Sequence, residues 1–381
     1  MLARSLYDAK GNVLLRANVP LTAGYIESLV RRGFPAVYIR DRDTDDVDIP
    51  ELVSQQVRVE AHATVQQVFT VARQAITEAI GAKEKPAGDP DDSSSENGHK
   101  GKEQFQQIED IVKEILKELV SSNMLSGIAE IRSYDDRTFS HSIEVAVTAI
   151  MIGKRLYVSE SDMIKLGSGC MLHDIGKLFI EQDIYKREDA LNAQEYRRLR
   201  GHTILGYKFL RSRNPNSVLA NHVAFQHHER QDGKGYPRGL RGTNTYRRRR
   251  SRNTEQYILP MAEIAAVADV YDMLSSDRPG KPSLAPQQIA AIMREMSGTL
   301  LNAEIVQHFL SILPMFPVGI GVAVQNGFYQ GYRGIVVHSS RRYPDRPIIR
   351  LLYDQAHERV NPVELDLSYE ADLQIATVQE P

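Results

Sequence analysis

The chain has 381 residues, 42 % hydrophobic and 25 % charged, with a formal net charge of −2. That composition suits a folded protein with one large core and one or two small units, and the near-neutral balance excludes coating of nucleic acid or membrane by bulk charge. The single cysteine, Cys170, excludes a disulfide framework and a thiolate metal cage. Beside Gly169, Met171 and Leu172 it reads as a small core hydrophobe. No apolar run approaches the roughly 20 residues that span a bilayer, and the first residues lack the basic-then-apolar pattern of a signal peptide. A cytoplasmic protein without membrane or nucleic-acid partners is expected.

Residues 1 to 50 predict a small α/β unit. Val13-Leu14-Leu15 and Val37-Tyr38-Ile39 read as short strands, the first after the turn-prone Lys10-Gly11-Asn12. Between them, Thr22 can cap a helix carrying Tyr25, Ile26, Leu29 and Val30 on one face, with Gly33 stopping it. From 51 to 81, Val57, Val65, Val68, Phe69, Ala72 and Ile76 supply a helical stripe. The Pro-, Asp- and Ser-rich stretch that follows cannot bury enough apolar surface to offset its ordering entropy. The next helix is predicted to begin near Glu103, with Ile108, Ile111, Ile115 and Leu119 at helical spacing. The helices on either side of the polar stretch can pack together and bracket it as a loop.

Between 128 and 312 nearly every segment has helical period, except a polar loop over 238–256 that contains Arg247-Arg248-Arg249-Arg250. After Pro317, Gly321-Val322-Ala323-Val324, Gly334-Ile335-Val336-Val337 and Ile348-Ile349-Arg350-Leu351-Leu352 are β-type runs, suggesting a small barrel or curled sheet. The expected fold class is multidomain and mainly α. It comprises a small N-terminal α/β unit with a trailing helix over 1–82, a disordered linker over 83–102, an all-α domain over 103–314 and a small β-rich unit over 315–381.

The chemistry concentrates in the helical domain. His141 lies near the start of an apolar helix, His173-Asp174 follows Met171-Leu172, His202 opens another helix, and His227-His228 precedes Glu229. Asp269 lies inside Ile264-Ala265-Ala266-Val267-Ala268-Asp269-Val270. A carboxylate within such a helix is costly to bury unless a cation or strong donors meet it, and Asp174 poses the same problem. Imidazoles and carboxylates around a bound metal pair solve both, because one carboxylate has two oxygens to share. Taken singly, each histidine is more often a hydrogen-bonded core residue than a ligand; the set in one domain carries the signal.

These residues, together with Gly176-Lys177, Asp232-Gly233, Gly235-Tyr236-Pro237 and Asp269-Val270-Tyr271-Asp272, resemble the HD-GYP phosphodiesterases, a bacterial subset of the HD metal-hydrolase superfamily. The resemblance covers about 128–312 and implies an all-α bundle that hydrolyses cyclic di-GMP to pGpG or GMP through a metal-bridging hydroxide. It implies the metal ligands His141, His173, Asp174, His202, His227, His228 and Asp269, with Asp174 as the bridge. Lys177 would approach the phosphate, Arg278 and Lys281 would hold substrate, and Tyr236 would border substrate or a partner. Some members add a glutamate four residues before the first histidine and a third metal. Arg137 stands there, so two divalent ions are expected, iron or manganese before zinc, cobalt or nickel. Partners implied are cyclic di-GMP and, through the Gly-Tyr-Pro loop, a diguanylate cyclase (GGDEF) or other signalling protein, with a homodimer left open.

Two other readings stay open. One is a cyclic-dinucleotide receptor without turnover; the other is an HD hydrolase of another nucleotide, against which the Gly-Tyr-Pro segment and Arg278 with Lys281 speak. The arginine run at 247–250 reads as a solvated loop, with an anionic-substrate funnel or docking edge as its functional alternative.

Overall fold

In the computed structural model, residues 8–12, 33, 35–36, 48–51, 83–95, 122–136, 186–190, 247–255, 277–280, 340–342 and 379–381 lie outside the described set, and of 78–82, 96–102, 121, 137–138 and 185 only the backbone is described. The Lys10-Gly11-Asn12 turn, Gly33, the arginine run and Arg278 therefore fall outside it.

Strand β1 (Leu6–Tyr7) pairs antiparallel with β2 (Val13–Leu15). Thr22 accepts a hydrogen bond from the Tyr25 amide and opens α1 (Ala23–Arg31). The strand expected at 37–39 reduces to one bridge between Ile39 and Leu2. Of the four apolar residues expected to face the core from α1, only Leu29 is buried, while Tyr25, Ile26 and Val30 are exposed. The reason is size: the unit's core consists of Leu2, Leu6, Leu29 and Phe34, too little to cover a whole helical face.

Helix α2 (Gln55–Ala82) lays Val57, Val65, Val68, Phe69 and Ala72 into the same core as Ile108, Ile111, Ile115 and Leu119 of α3 (Glu96–Ser121). Glu118 ties the two together, accepting from the Ser54 amide and hydroxyl at 2.6 Å each. Helix α3 begins at Glu96 rather than near Glu103; adding turns to an existing helix is cheap compared with nucleating one.

The bundle continues with α4 (Arg137–Arg155), α5 (Glu160–Leu172), a 3₁₀ turn (Ile175–Phe179), α6 (Gln182–Tyr185), α7 (Ala193–Arg200), α8 (His202–Arg213) and α9 (Val218–Gln226), then α10 (Pro260–Ser275), α11 (Pro286–Met296) and α12 (Ala303–Leu310). Helix α5 is central, packing on α4 and α9, while α10 closes over α4. Ile150, Leu166, Met171, Val267 and Phe309 are among the side chains that fill the shared core, which also takes in α2 and α3. Cys170 is buried there, and burial pushes its thiol up, as a core hydrophobe requires.

Beyond α12 lies an antiparallel sheet of β3 (Gly321–Val324), β4 (Arg333–His338), β5 (Ile348–Tyr353), β6 (Arg359–Asp366) and β7 (Ile375–Thr377), in the order β6-β5-β4-β3-β7. The last two strands escape the sequence pattern because both are sheet edges, and β6 is polar and carries Pro362. The sheet has its own core of Val322, Val324, Val336, Ile349 and Leu351, against which Val47 packs. Arg350 reaches back to the N-terminal segment, bonding the Asp46 carboxylate at 2.6 and 2.7 Å and the Asp43 carbonyl at 2.6 Å. The fold is thus mainly helical with a C-terminal antiparallel sheet. Among the described residues, no helix is long and apolar enough to cross a membrane.

The 3₁₀ turn touches α8 at one tight point. A Cβ on Gly176 would collide with the His202 carbonyl oxygen and lie 2.6 Å from the Gly206 nitrogen, backbone atoms on both sides. Gly176→Ala is expected to push α8 away at a cost of about 1–3 kcal/mol, lowering the melting temperature in circular dichroism. An unchanged melting curve would show that this contact yields freely.

Candidate metal centre

Helix ends place most of the polar side chains. Helix α5 stops at Leu172, so His173 is its C-cap and Asp174 opens the 3₁₀ turn. Gly201 ends α7 and begins α8, which puts His202 at the first helical position. His227 is the C-cap of α9, with His228 next. His141 projects from the second turn of α4. Asp269 and Asp272, three residues apart on one face of α10, come from the opposite wall.

Together these residues form two neighbouring donor groups, His141–His173–Asp174 and His202–His227–His228, each with ligand atoms within 4.8 Å of one another. Asp269 joins the first, its Oδ1 lying 3.4 Å from His141 Nε2. Asp174 lies between the groups. Its Oδ2 is 3.4 Å from His173 Nε2 and 3.8 Å from His141 Nε2, while its Oδ1 is 3.5 Å from His202 Nε2 and 3.9 Å from His227 Nε2. Within each group the rings crowd: His141 and His173 Nε2 are 3.3 Å apart, as are those of His202 and His227.

The Nδ1 atoms are engaged elsewhere. His173 Nδ1 bonds the Cys170 carbonyl and His202 Nδ1 the Leu199 carbonyl, both at 2.6 Å; His227 Nδ1 lies 3.1 Å from the Ala224 carbonyl. A carbonyl can only accept, so each of these Nδ1 atoms carries the proton and each Nε2 presents a lone pair to the cluster. His141 obtains the same arrangement from Asp272, whose Oδ2 is 2.7 Å from its Nδ1. Asp272 thus positions His141 through Nδ1, leaving its Nε2 to the donor group.

Electrostatics sort the groups in the same way. Burial and the neighbouring imidazoles hold His227 and His228 well below the ordinary histidine value, and burial lowers His202 too, so all three are neutral ligands in waiting. Burial works against the protonated form of His141, yet the Asp272 hydrogen bond and the charges of Asp272, Asp269 and Asp174 outweigh it and raise its value. Burial also opposes ionisation of Asp174, but Lys177 and the surrounding histidines keep it far below the usual carboxylate range. Lys177 forms an ion pair with Asp174 Oδ2.

A metal pair fits this donor set. Asp174 Oδ1 is buried without a hydrogen-bond partner, a cost that a cation would remove. Neutral imidazole Nε2 atoms and carboxylate oxygens, with no thiolate, are a donor set for divalent ions.

The structure brings His141, His173, Asp174, Lys177, His202, His227, His228 and Asp269 to one site. Tyr236 borders it, its ring centroid 4.7 Å from that of His228. Lys281 is exposed, and among the described residues no hydrogen bond or ion pair ties it to the cluster. Arg137 opens α4, but its side chain, like Asp135 and Asp136, lies outside the described set.

Two contributors had no assigned role in the sequence. Buried Glu229 accepts from the Arg238 amide at 2.7 Å and the Leu240 amide at 2.8 Å, pinning the Gly-Tyr-Pro loop to the histidine pair. Its place in the His-His-Glu run was the available signal. Gly235 lets the same loop lie flat: a Cβ there would sit 2.6 Å from Glu229 Cα and from the His228 carbonyl oxygen. The second is Arg200, whose guanidinium carbon lies 4.5 Å from the Tyr236 ring centroid. Only its separation of two residues from His202 hinted at it.

A helical bundle that gathers histidines and aspartates around one point, most of them at or just beyond helix ends, defines a class of metal-binding domain. Residues 115–305 match the family model described as HD domain. The chain belongs to the HD domain family, in its HD-GYP type, and the family and donor set together support divalent metal use.

A cyclic di-GMP phosphodiesterase of Thermotoga maritima is 33 % identical over 209 residues, covering 55 % of this chain and 51 % of that protein. A cyclic di-GMP phosphodiesterase of Pseudomonas aeruginosa is 29 % identical over 219 residues, 57 % of this chain and 50 % of the relative. A 3'3'-cGAMP-specific phosphodiesterase of Vibrio cholerae is 32 % identical over 180 residues, 47 % of this chain and 36 % of the relative. The chain therefore spans about half the length, or less, of the curated relatives it matches. Among solved structures, an HDG"Y"P protein of Bdellovibrio bacteriovorus aligns over 76 % of this chain and 78 % of its own at 15 % identity, with a TM-score of 0.43.

Removing the group behind His141 tests the positioning argument. Asp272→Ala is expected to weaken metal binding about 10- to 100-fold at one ion while leaving the other in place. Elemental analysis during titration with a chelator reads this directly; equal loss of both ions, or of neither, contradicts it.

Proposed function

We propose that the chain hydrolyses the phosphodiester of cyclic di-GMP to pGpG, GMP or both, at two divalent metal ions, with iron and manganese suiting the imidazole and carboxylate donors best. His141, His173 and Asp269 would hold one ion and His202, His227 and His228 the other, with Asp174 giving one oxygen to each. The division of the two Asp174 oxygens between the donor groups carries this reading. When bound, such ions supply Lewis acidity, making a water acidic enough to attack phosphorus at neutral pH and offsetting charge on the non-bridging oxygens.

The chain's own residues do the rest. The backbone carbonyls and Asp272 fix four imidazoles so that no ring must reorient during the reaction. Lys177, about a third exposed with its 35 % side-chain accessibility, is a tethered cation at the rim of the cluster where a phosphate oxygen would arrive. Tyr236 closes one side beside His228 and limits water there. The named activities of the relatives favour a cyclic dinucleotide over a nucleoside triphosphate as substrate. In this reading the helical domain performs hydrolysis and the α/β and β-rich units flank it.

Asp174→Ala is expected to abolish hydrolysis and release at least one ion. Lys177→Ala is expected to retain both ions and lose about 10²–10³ in rate, as removal of one preorganised charge donor does. Chromatography of cyclic di-GMP digests, paired with elemental analysis, reads both. If iron- or manganese-loaded wild type binds cyclic di-GMP but releases no linear product, the chain is a receptor. Faster hydrolysis of a nucleoside triphosphate would move the assignment to another branch of the HD family.

A further inference from the structure

The last turn of α7 carries three arginines. Arg198 bonds Glu181 at 2.9 Å and Arg197 donates to the Ala193 carbonyl at 3.2 Å. Arg200 is partly buried, and its guanidinium has no hydrogen bond or ion pair among the described residues. Its guanidinium carbon instead lies 4.5 Å from the ring centroid of Tyr236 and 5.8 Å from that of Tyr196. Attraction to the two rings holds the cation in place and leaves its N–H donors unspent.

This cation stands at a defined distance from the chemistry. Tyr236 is in contact with His228 at 4.7 Å between centroids and with His202 at 6.4 Å, so Arg200, Tyr236 and His228 form one wall leading away from the donor cluster. Only Gly201 separates Arg200 from His202, and the Thr203 hydroxyl anchors the turn by bonding the Arg200 carbonyl at 3.0 Å. A nucleotide whose scissile phosphate rests at the cluster runs its sugar and base along such a wall. The phosphate already has Lys177. What the wall adds is a flat aromatic face and, beyond it, a planar fork of donors.

We infer that Arg200 is a specificity-determining residue, holding the O6 and N7 edge of a guanine in the bound cyclic dinucleotide. Guanine presents two acceptors on that edge, which a guanidinium fork meets with two parallel bonds. Adenine presents one acceptor and one amino donor, and the donor faces the fork unfavourably. This rests on the proposed function, because it needs a cyclic dinucleotide with its phosphate at the donor cluster.

The test measures binding, not turnover. Full-length wild type, Arg200→Met and Arg200→Gln are loaded to equal metal content and titrated by calorimetry with slowly hydrolysed phosphorothioate analogues of cyclic di-GMP and cyclic di-AMP. Wild type is expected to prefer the guanine ligand by roughly 5- to 150-fold, the worth of one bidentate base contact. Arg200→Met, which keeps a stem against Tyr236, should bring that ratio near one by weakening only the guanine ligand. Arg200→Gln, whose amide matches adenine better, should move the ratio further toward cyclic di-AMP. Equal losses for both ligands would assign Arg200 to a phosphate, and an unchanged ratio would remove it from recognition; either overturns the inference alone, as does a wild type without preference. Wild type binding neither analogue overturns the proposed function together with this inference.

Discussion

A carboxylate taken out of water demands positive charge nearby, and the arrangement around Asp174 follows from that demand. It is buried at the junction where α5 gives way to a 3₁₀ turn, with one oxygen toward each donor group. Lys177, one 3₁₀ turn later, supplies part of the compensation. The other neighbours include imidazoles on both sides, and burial disfavours the charged forms of His202, His227 and His228, so these three offer lone pairs more readily than fixed charge. An anionic centre lined by neutral lone pairs is a poor place for water and a good one for divalent cations. Packing α4, α8, α9 and α10 around this point is what makes the centre both buried and cationophilic.

The same helix ends solve a second problem. The last carbonyls of an α-helix have no intrahelical donor. At α5, α7 and α9, a carbonyl of the final turn is met by the Nδ1 of a histidine just beyond it. One hydrogen bond therefore satisfies a helix terminus and selects the imidazole tautomer whose Nε2 faces the cluster. His141 lies within α4, where every carbonyl nearby is committed to the helix, and this explains why it alone relies on a carboxylate, Asp272. Helix length and ligand geometry are consequently one constraint: lengthening α5 by a residue would rotate His173 away from its carbonyl and from the site.

How legible these features were in the sequence depended on how local they are. The stripe on α2, the Thr22 cap and the first three strands of the C-terminal sheet follow from short-range pattern and stand where the pattern puts them. The N-terminal unit misled because period alone does not say whether a core exists to receive a face; Tyr25, Ile26 and Val30 have helical spacing and remain exposed. At the site, the histidines and aspartates were conspicuous as polar residues in apolar helices. The roles of Glu229 and Arg200 were not, because a buried glutamate that accepts loop amides and an arginine lying over a tyrosine involve partners far along the chain.

In the proposed function the cluster meets a phosphate, and cyclic di-GMP and 3'3'-cGAMP carry the same 3',5' phosphodiester. Divalent ions, Lys177 and a water would act there on atoms that these two substrates share, so nothing in the donor set would distinguish them. The relatives nevertheless divide by name between these two substrates at similar identity. In that reading selectivity would come from residues that touch a base, and those need not be ligands. Glu229 and Gly235 bring the Gly-Tyr-Pro loop flat against the histidine pair, fixing Tyr236 beside His228. A base wall anchored this way can vary at its outer edge, at Arg200 and Tyr196, without disturbing an imidazole or a carboxylate. On the proposed reading, chemistry and selectivity would occupy adjoining surfaces joined through one tyrosine ring, which would let the second change while the first stays fixed.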